Sequence, residues 1–172
     1  MIRSSEFRRR HEGQGLVEFA FVLPVFLALL LGTVDLGRGI WANNSVASAA
    51  REAARFAAVH GGSKSTDCPV GPPVVGTTEV PLPSPACPYP SPSKQAIVDV
   101  ANGFLVAGGT DVVVTVCYGS GCTGDTDIVG ATNARGTPVT VVVASEVPMI
   151  MGTFLGVGTI NVSGTSTMLV NH

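Results

Sequence analysis

An almost unbroken apolar run near the N-terminus is the clearest pattern along the chain. Leu16–Val34 contains 19 residues and one ionisable side chain, Glu18. A helix of this length spans roughly 28 Å, close to the hydrocarbon thickness of a bilayer. A secretory signal peptide is the alternative, but its apolar region is shorter, and Thr33–Gly37 is a poor cleavage site. The pattern therefore predicts a transmembrane helix that stays attached.

The helical pattern continues beyond the apolar run. Ile40–His60 is rich in Ala and contains neither Pro nor Gly, and Gly61 and Gly62 provide a stop. We therefore predict one helix from about residue 16 to 60. The alternative is two helices with a hinge at Leu36–Gly39, because each interior Gly costs about 1 kcal/mol. One narrow stripe of small apolar residues follows the helical period, formed by Val46, Ala50, Ala54 and Ala57.

The rest of the chain predicts a loop, a short helix and strands. Residues 61–92 hold nine of the twelve prolines and predict an irregular loop. Ser93 is the expected cap of a helix over Lys94–Leu105. Asp111–Tyr118, Thr137–Val147 and Ile160–Val170 are rich in β-branched residues and predict strands. In the last strand, alternation places on one side Ile160, Val162, Gly164, Ser166, Met168 and Val170.

These elements predict an α+β fold: a long N-terminal transmembrane helix, then a small antiparallel β-sheet domain with one short extra helix. The Ala-rich helix and the short helix would cover the apolar face of the sheet, and Gly119–Gly136 would be an exposed connection. The predicted divisions are a basic leader (1–13), the long helix (14–60), the Pro/Gly-rich loop (61–92) and an extracytoplasmic domain (93–172).

Charge gives the predicted orientation. Four of the ten basic residues precede the apolar run, whereas the chain after Gly13 carries six basic and ten acidic residues. Positive charge stays on the cytoplasmic side, so the N-terminus is predicted to be cytoplasmic and the C-terminal domain extracytoplasmic. A nucleic-acid patch is the other interpretation of the basic cluster, but the acidic remainder argues against nucleic acid as a partner. The cluster consists of Arg3, Arg8, Arg9 and Arg10.

All four cysteines follow the apolar run, as expected for disulfides in an oxidising compartment. Three pairings are possible, of which the local one joins Cys68 to Cys87 and Cys117 to Cys122. A zinc site is the rival interpretation, but the spacing lacks a C-x-x-C pair, and His60 and His172 add no ligand pattern. We expect no metal and no cofactor.

Catalytic motifs are missing from the sequence. It has no G-x-S-x-G, H-E-x-x-H or P-loop pattern, and charged residues form only 13% of the chain. Gly124–Asp127 suggests a calcium loop, but the Glu expected at the end of such a loop is absent, which favours a polar surface turn. The sequence does not predict an enzyme.

The stretch Arg8–Phe19 joins a basic leader, a Gly and a Glu-Phe pair that opens the apolar helix. It resembles the signature read by type IV prepilin peptidases, which cut after the Gly on the cytoplasmic side. The resemblance implies a cut between Gly13 and Gln14. Glu18 and Phe19 would then be the fifth and sixth residues of the processed chain.

A carboxylate in an apolar helix needs a partner. It costs on the order of 3 kcal/mol near the bilayer centre and less towards the interface. A cut after Gly13 would free an α-amino group one helical turn from Glu18, and the resemblance implies that such a carboxylate meets the N-terminus of a neighbouring subunit. Pairing in a low dielectric would then favour one axial register. Alternatively, Glu18 lies at the headgroup level of a plain anchor.

A narrower resemblance covers Gly13–Arg38 and extends through the Ala-rich Ala47–Ala58. The Glu-Phe pair, Pro24 in the first half of the span and an acidic residue before Gly-Arg at its outer end are similar to TadE-like proteins, the minor pilins or pseudopilins of tight-adherence (Tad, Flp) pili. TadF/TadG-like membership stays open. Pro24 is expected to bend the helix, and Asp35 and Arg38 could pair at the outer interface or form only a solvated contact.

The resemblance implies a pilin-like helix and a pilus subunit needed for assembly, adhesion or secretion. Its expected partners are other pilin subunits, the Tad assembly machinery, a prepilin peptidase and membrane lipid. The expected location is the cytoplasmic membrane, with passage into a surface pilus. The alternative function is a permanently membrane-anchored extracytoplasmic binding or adhesion domain that does not polymerise.

Overall fold

A single helix, α1, runs from Glu6 to Val59. The computed structural model of the chain describes residues 6–61, 70–72, 94–105, 110–156 and 158–171. The prediction of one long helix is confirmed, and the alternative hinge at Leu36–Gly39 is wrong. The helix begins ten residues before the predicted start, because residues 6–12 contain good helix formers and no Pro or Gly.

The second half of α1 packs on the sheet, and this packing explains why the glycines at the alternative hinge position do not break the helix. A Cβ at Gly39 would lie 3.3 Å from Cδ1 of Ile160, so the helix approaches the sheet closely there. Further along, the Asn171 amide donates to the Ala58 carbonyl at 2.9 Å. The buried residues of this half are all small, and they are Ala42, Val46, Ala49, Ala50, Ala53, Ala54, Ala57 and Ala58.

The short helix α2 spans Gln95–Phe104, within one residue of the prediction at each end. Lys94 occupies its N-cap position and makes no side-chain cap hydrogen bond; the predicted cap, Ser93, lies outside the described residues, as does most of the Pro/Gly-rich loop. Ala96, Ile97 and Ala101 are buried. This face of α2 joins α1 in covering the sheet.

The sheet has three antiparallel strands, as predicted, and their order is β1-β2-β3. The strands are β1 (Thr110–Tyr118), β2 (Pro138–Pro148) and β3 (Thr159–Leu169). Alternate side chains of the central strand are buried, namely those of Val139, Val141, Val143, Ser145 and Val147. Along β3 the predicted face is the more buried one, except that Ile160 is 36% exposed.

A second short helix, α3 (Ile150–Leu155), interrupts the connection between β2 and β3. Only one short helix was expected, so the fold prediction was incomplete here. Six residues are too few to give a periodic signal. The helix ends at Gly156, which has a left-handed backbone with φ 76°, a conformation that favours glycine.

The connection between β1 and β2 covers part of the outer edge of β1. The disulfide Cys117–Cys122 ties its base, as predicted. The backbone amide of Val116 donates to Asp125 Oδ1 at 3.3 Å, and that of Tyr118 donates to Asp127 Oδ1 at 2.8 Å. Lys94 Nζ lies 2.9 Å from Asp127 Oδ1 and links this connection to α2. The two carboxylates therefore occupy backbone donors that an edge strand would otherwise leave open.

The contact between α1 and β3 depends on Gly164. A Cβ at this position would lie 2.6 Å from Cα and 2.7 Å from the amide nitrogen of Ala47, both backbone atoms that cannot rotate away. We expect Gly164→Ala to lower the free energy of unfolding by about 1–3 kcal/mol, as overpacking does. The measurement is urea unfolding of the full chain in detergent micelles, followed by near-ultraviolet circular dichroism.

The matched control is Gly158→Ala, which adds the same methyl group where nothing lies within 4 Å. Its unfolding midpoint should stay close to that of the parent chain. Equal midpoints for the two variants would show that the helix does not approach the strand this closely.

Candidate functional site on the long helix

The two halves of α1 have opposite environments. In the membrane-length window of its apolar half no residue is buried, and this is the one described helix long and apolar enough to cross a membrane. A core helix of a soluble protein would be largely buried. The exposed side chains include Leu16, Val17, Phe19, Phe21, Val22, Val25, Phe26, Leu29 and Leu30.

The residues of the processing motif lie on this exposed half. Gly13, Gln14, Glu18 and Phe19 are all exposed and helical. A Cβ at Gly13 would have nothing within 4 Å among the described residues, so packing there gives no reason for a glycine, although glycine weakens a helix. The Glu18 carboxylate has no hydrogen-bond or ion-pair partner within the described residues. Cleavage and intersubunit pairing stay predictions.

Pro24 lies inside α1, which continues through it. A proline removes one backbone hydrogen bond, and transmembrane helices tolerate this loss. The structure therefore accommodates the residue without ending the helix, and the predicted bend stays a prediction.

Asp35 lies where the exposed half of α1 meets the sheet domain. Its side chain is buried, and its two oxygens accept hydrogen bonds from the backbone amides of Ile150 at 2.9 Å and Met151 at 2.7 Å. These amides open α3, whose first turn has no intrahelical acceptors for them. The carboxylate thus caps α3 from an element more than one hundred residues away.

The predicted ion pair with Arg38 is present but secondary. Arg38 Nη1 lies 3.9 Å from Asp35 Oδ1, and the Arg38 side chain is 37% exposed. Charge-assisted hydrogen bonds from backbone amides at shorter distance stabilise a buried carboxylate more than a long ion pair with a solvated cation does. Both residues of the pair could be predicted from the sequence, whereas the hydrogen bonds that fix Asp35 could not. The only signal was an acidic residue at the end of an apolar run.

An open groove of about 630 Å³ lies beside Asp35, between α1, the start of α3 and the start of β3. Most of its lining is apolar, and two asparagines contribute polar groups. The lining residues are Gly32, Asp35, Leu36, Gly39, Ile40, Asn43, Met149, Ile160, Asn161 and Val162.

Chemistry at the remaining candidate positions is sparse. No group of three or more His, Cys, Asp or Glu side chains suited to a metal is found among the residues that the structure describes. Cys68 and Cys87 lie outside those residues, so their predicted disulfide stays a prediction.

The Asp35 contacts predict unequal effects at two neighbouring positions. Asp35→Asn keeps the shape but replaces one acceptor by an NH2 group that faces an amide donor, so we expect a loss of about 1–3 kcal/mol in the free energy of unfolding. Arg38→Gln removes only the long ion pair and should cost much less. The measurements are urea unfolding of the full chain in micelles and hydrogen exchange at Ile150 and Met151. Equal effects of the two variants would contradict the capping role.

Comparison with known proteins agrees with the motif. No curated protein and no solved structure gives a significant match to the chain. Residues 13–55 match the family model described as TadE-like protein, and this match indicates a pilin-like protein associated with a Tad pilus. The match covers the apolar half of α1 and most of its packed half. The N-terminal segment of this chain is therefore TadE-like, as the motif around Gly13, Glu18 and Phe19 indicated.

Proposed function

We propose that this chain is a minor pilin or pseudopilin subunit of a Tad-type pilus, a structural protein that acts by assembly and not by catalysis. It is held in the cytoplasmic membrane by the apolar half of α1, with the N-terminus cytoplasmic and the sheet domain outside. A prepilin peptidase cuts between Gly13 and Gln14. The subunit then packs with other pilin subunits through α1, with the Tad machinery driving assembly.

One observation carries the proposal: half of a continuous helix is apolar and has no buried residue in its membrane-length window, while the other half is packed on the sheet. Apolar surface in water is unfavourable by roughly 25 cal/mol per Å². A bilayer covers this surface before assembly, and the helices of neighbouring subunits cover it in a fibre. Because α1 is continuous through Gly37 and Gly39, extraction from the membrane moves the helix and its domain as one body.

Glu18 and Gly13 support the pilin function over a plain anchor. An anchor needs neither a carboxylate within its apolar half nor a glycine in open space. A peptidase that reads a small side chain before the cut explains the glycine, and a new α-amino group on a neighbouring subunit explains the carboxylate. The runner-up function is an anchored extracytoplasmic binding or adhesion domain, which the tightly packed sheet domain would also suit.

Processing is tested by replacing the glycine with a large side chain. We expect Gly13→Leu to abolish cleavage in cells that carry the cognate peptidase, because the enzyme must accommodate the residue before the cut. Mass spectrometry of the purified membrane protein should find Gln14 at the N-terminus of the parent chain and the intact leader in the variant. The control is Gly37→Leu, the same change in open space on the same helix, which should be processed normally.

An intact leader on the parent chain would overturn the processing step, as would a cut beyond Val34. Cleavage of Gly13→Leu at the parental rate would show that the glycine is not read.

The role of the carboxylate is tested by Glu18→Ala. The variant should insert in the membrane as well as the parent, since a costly charge is removed, but it should be absent from sheared surface fibres. Immunoblots of the membrane and fibre fractions give the comparison. The control is Glu52→Ala, which removes a carboxylate from the packed half of the same helix. Unchanged fibre content of Glu18→Ala would favour the anchored domain.

A further inference from the structure

We propose that the sheet domain has a second lipid-binding surface, which rests on the outer leaflet of the membrane before assembly. This surface, the membrane-proximal tip, consists of Leu36 and Ile40 on α1, Met149 and Ile150 at the start of α3, and Ile160 on β3. The inference rests on the proposed membrane insertion of α1. The added contact with lipid would fix the orientation of the sheet domain relative to the bilayer.

Position along α1 places the tip at the membrane surface. From Gly13 to Asp35 the helix rises about 33 Å, close to the ~30 Å hydrocarbon thickness of a bilayer. Asp35 binds the first amides of α3, and Gly39 lies against Ile160 near the start of β3. The end of β2, α3 and the start of β3 therefore all lie level with the point where α1 leaves the hydrocarbon.

The chemistry of the tip suits a lipid interface. Leu36 is 63% exposed, Ile40 57% and Ile150 40%, and residues 149–158 contain no charged side chain. The same turns of α1 carry Arg38 and Trp41, and Trp41 is 46% exposed. Both residue types favour the headgroup level of a bilayer, because each side chain combines an apolar body with a polar end.

The hydrogen bonds to Asp35 lower the electrostatic free-energy cost of placing the tip in a lipid interface. Its negative charge is stabilised by hydrogen bonds from two backbone amides and lies close to Arg38, so the carboxylate enters the interface with its oxygens already hydrogen-bonded. An unpaired carboxylate would oppose contact with lipid. The groove beside it, about 630 Å³ and mainly apolar, gives acyl chains or the upper part of a lipid a concave surface to occupy.

Continuity argues for lipid as the occupant. The tip begins where the exposed apolar half of α1 ends: Gly32 and Leu36 both line the groove. The opposite end of the sheet also exposes apolar side chains, those of Ile128, Val129 and Leu169, but they lie at the end away from the span and are not continuous with it. Continuity with the span sets the tip apart from the other exposed apolar side chains and matches a planar bilayer boundary.

The test uses depth-dependent quenching by brominated lipid. The full chain, with its one tryptophan removed by Trp41→Phe, is reconstituted into phosphatidylcholine vesicles with and without lipid brominated near the headgroup end of its acyl chains. Ile150→Trp reports on the tip, and Ile160→Trp provides a second reporter there. Val34→Trp marks the end of the span and Val129→Trp the opposite end of the domain, both at exposed positions.

We expect bromination to quench both tip reporters nearly as strongly as the indole at position 34 and to leave the indole at position 129 unchanged. If the position-34 indole is quenched and both tip indoles are not, the tip does not contact lipid and the inference is wrong while insertion stands. If the position-34 indole is itself unquenched, the proposed membrane insertion fails. Tip indoles shielded from aqueous acrylamide but not quenched by bromine would indicate a second copy of the chain, which also overturns the inference.

Discussion

The close contact between α1 and β3 is the constraint on which the rest of the structure depends. Alanines on one side and Gly164 on the other bring two backbones together with almost no side chain between them. Interfaces of this kind tolerate little change in volume, because protein interiors are close-packed. The packed half of α1 is therefore fixed to the sheet, and the exposed half projects from it as an extension of the same helix.

The long elements could be predicted from the sequence because each carries a strong local signal. An apolar run of membrane length, an Ala-rich stretch and three β-branched strands gave α1 and the sheet, and Cys117–Cys122 followed from the short spacing. The alternative of a hinge failed because the cost of Gly37 and Gly39, about 1 kcal/mol each, is a local quantity, whereas the packing that offsets it is tertiary. Helix α3 was missed for a different reason, because six residues are too few to give a periodic signal.

Asp35 illustrates what a sequence pattern leaves out. The residue was singled out for an interaction with Arg38, which is three positions away and belongs to the same helix face. Its stronger partners are the backbone amides of Ile150 and Met151, and backbone donors carry no residue-type signal. A carboxylate that caps a remote helix can be recognised only once the fold brings the two together.

Two carboxylates lie near the two ends of the exposed half of α1, and they differ in their hydrogen-bond partners. Asp35 is satisfied inside the chain by two amides and a nearby guanidinium. Glu18 has no such partner among the described residues, and it projects from a helix surface made of leucine, valine and phenylalanine. Apolar surroundings raise the free energy of an unpaired carboxylate, so Glu18 needs a partner from beyond the described residues or must stay close to water. The physical rule that explains the paired Asp35 within the fold thus also requires a hydrogen-bond partner or water for Glu18.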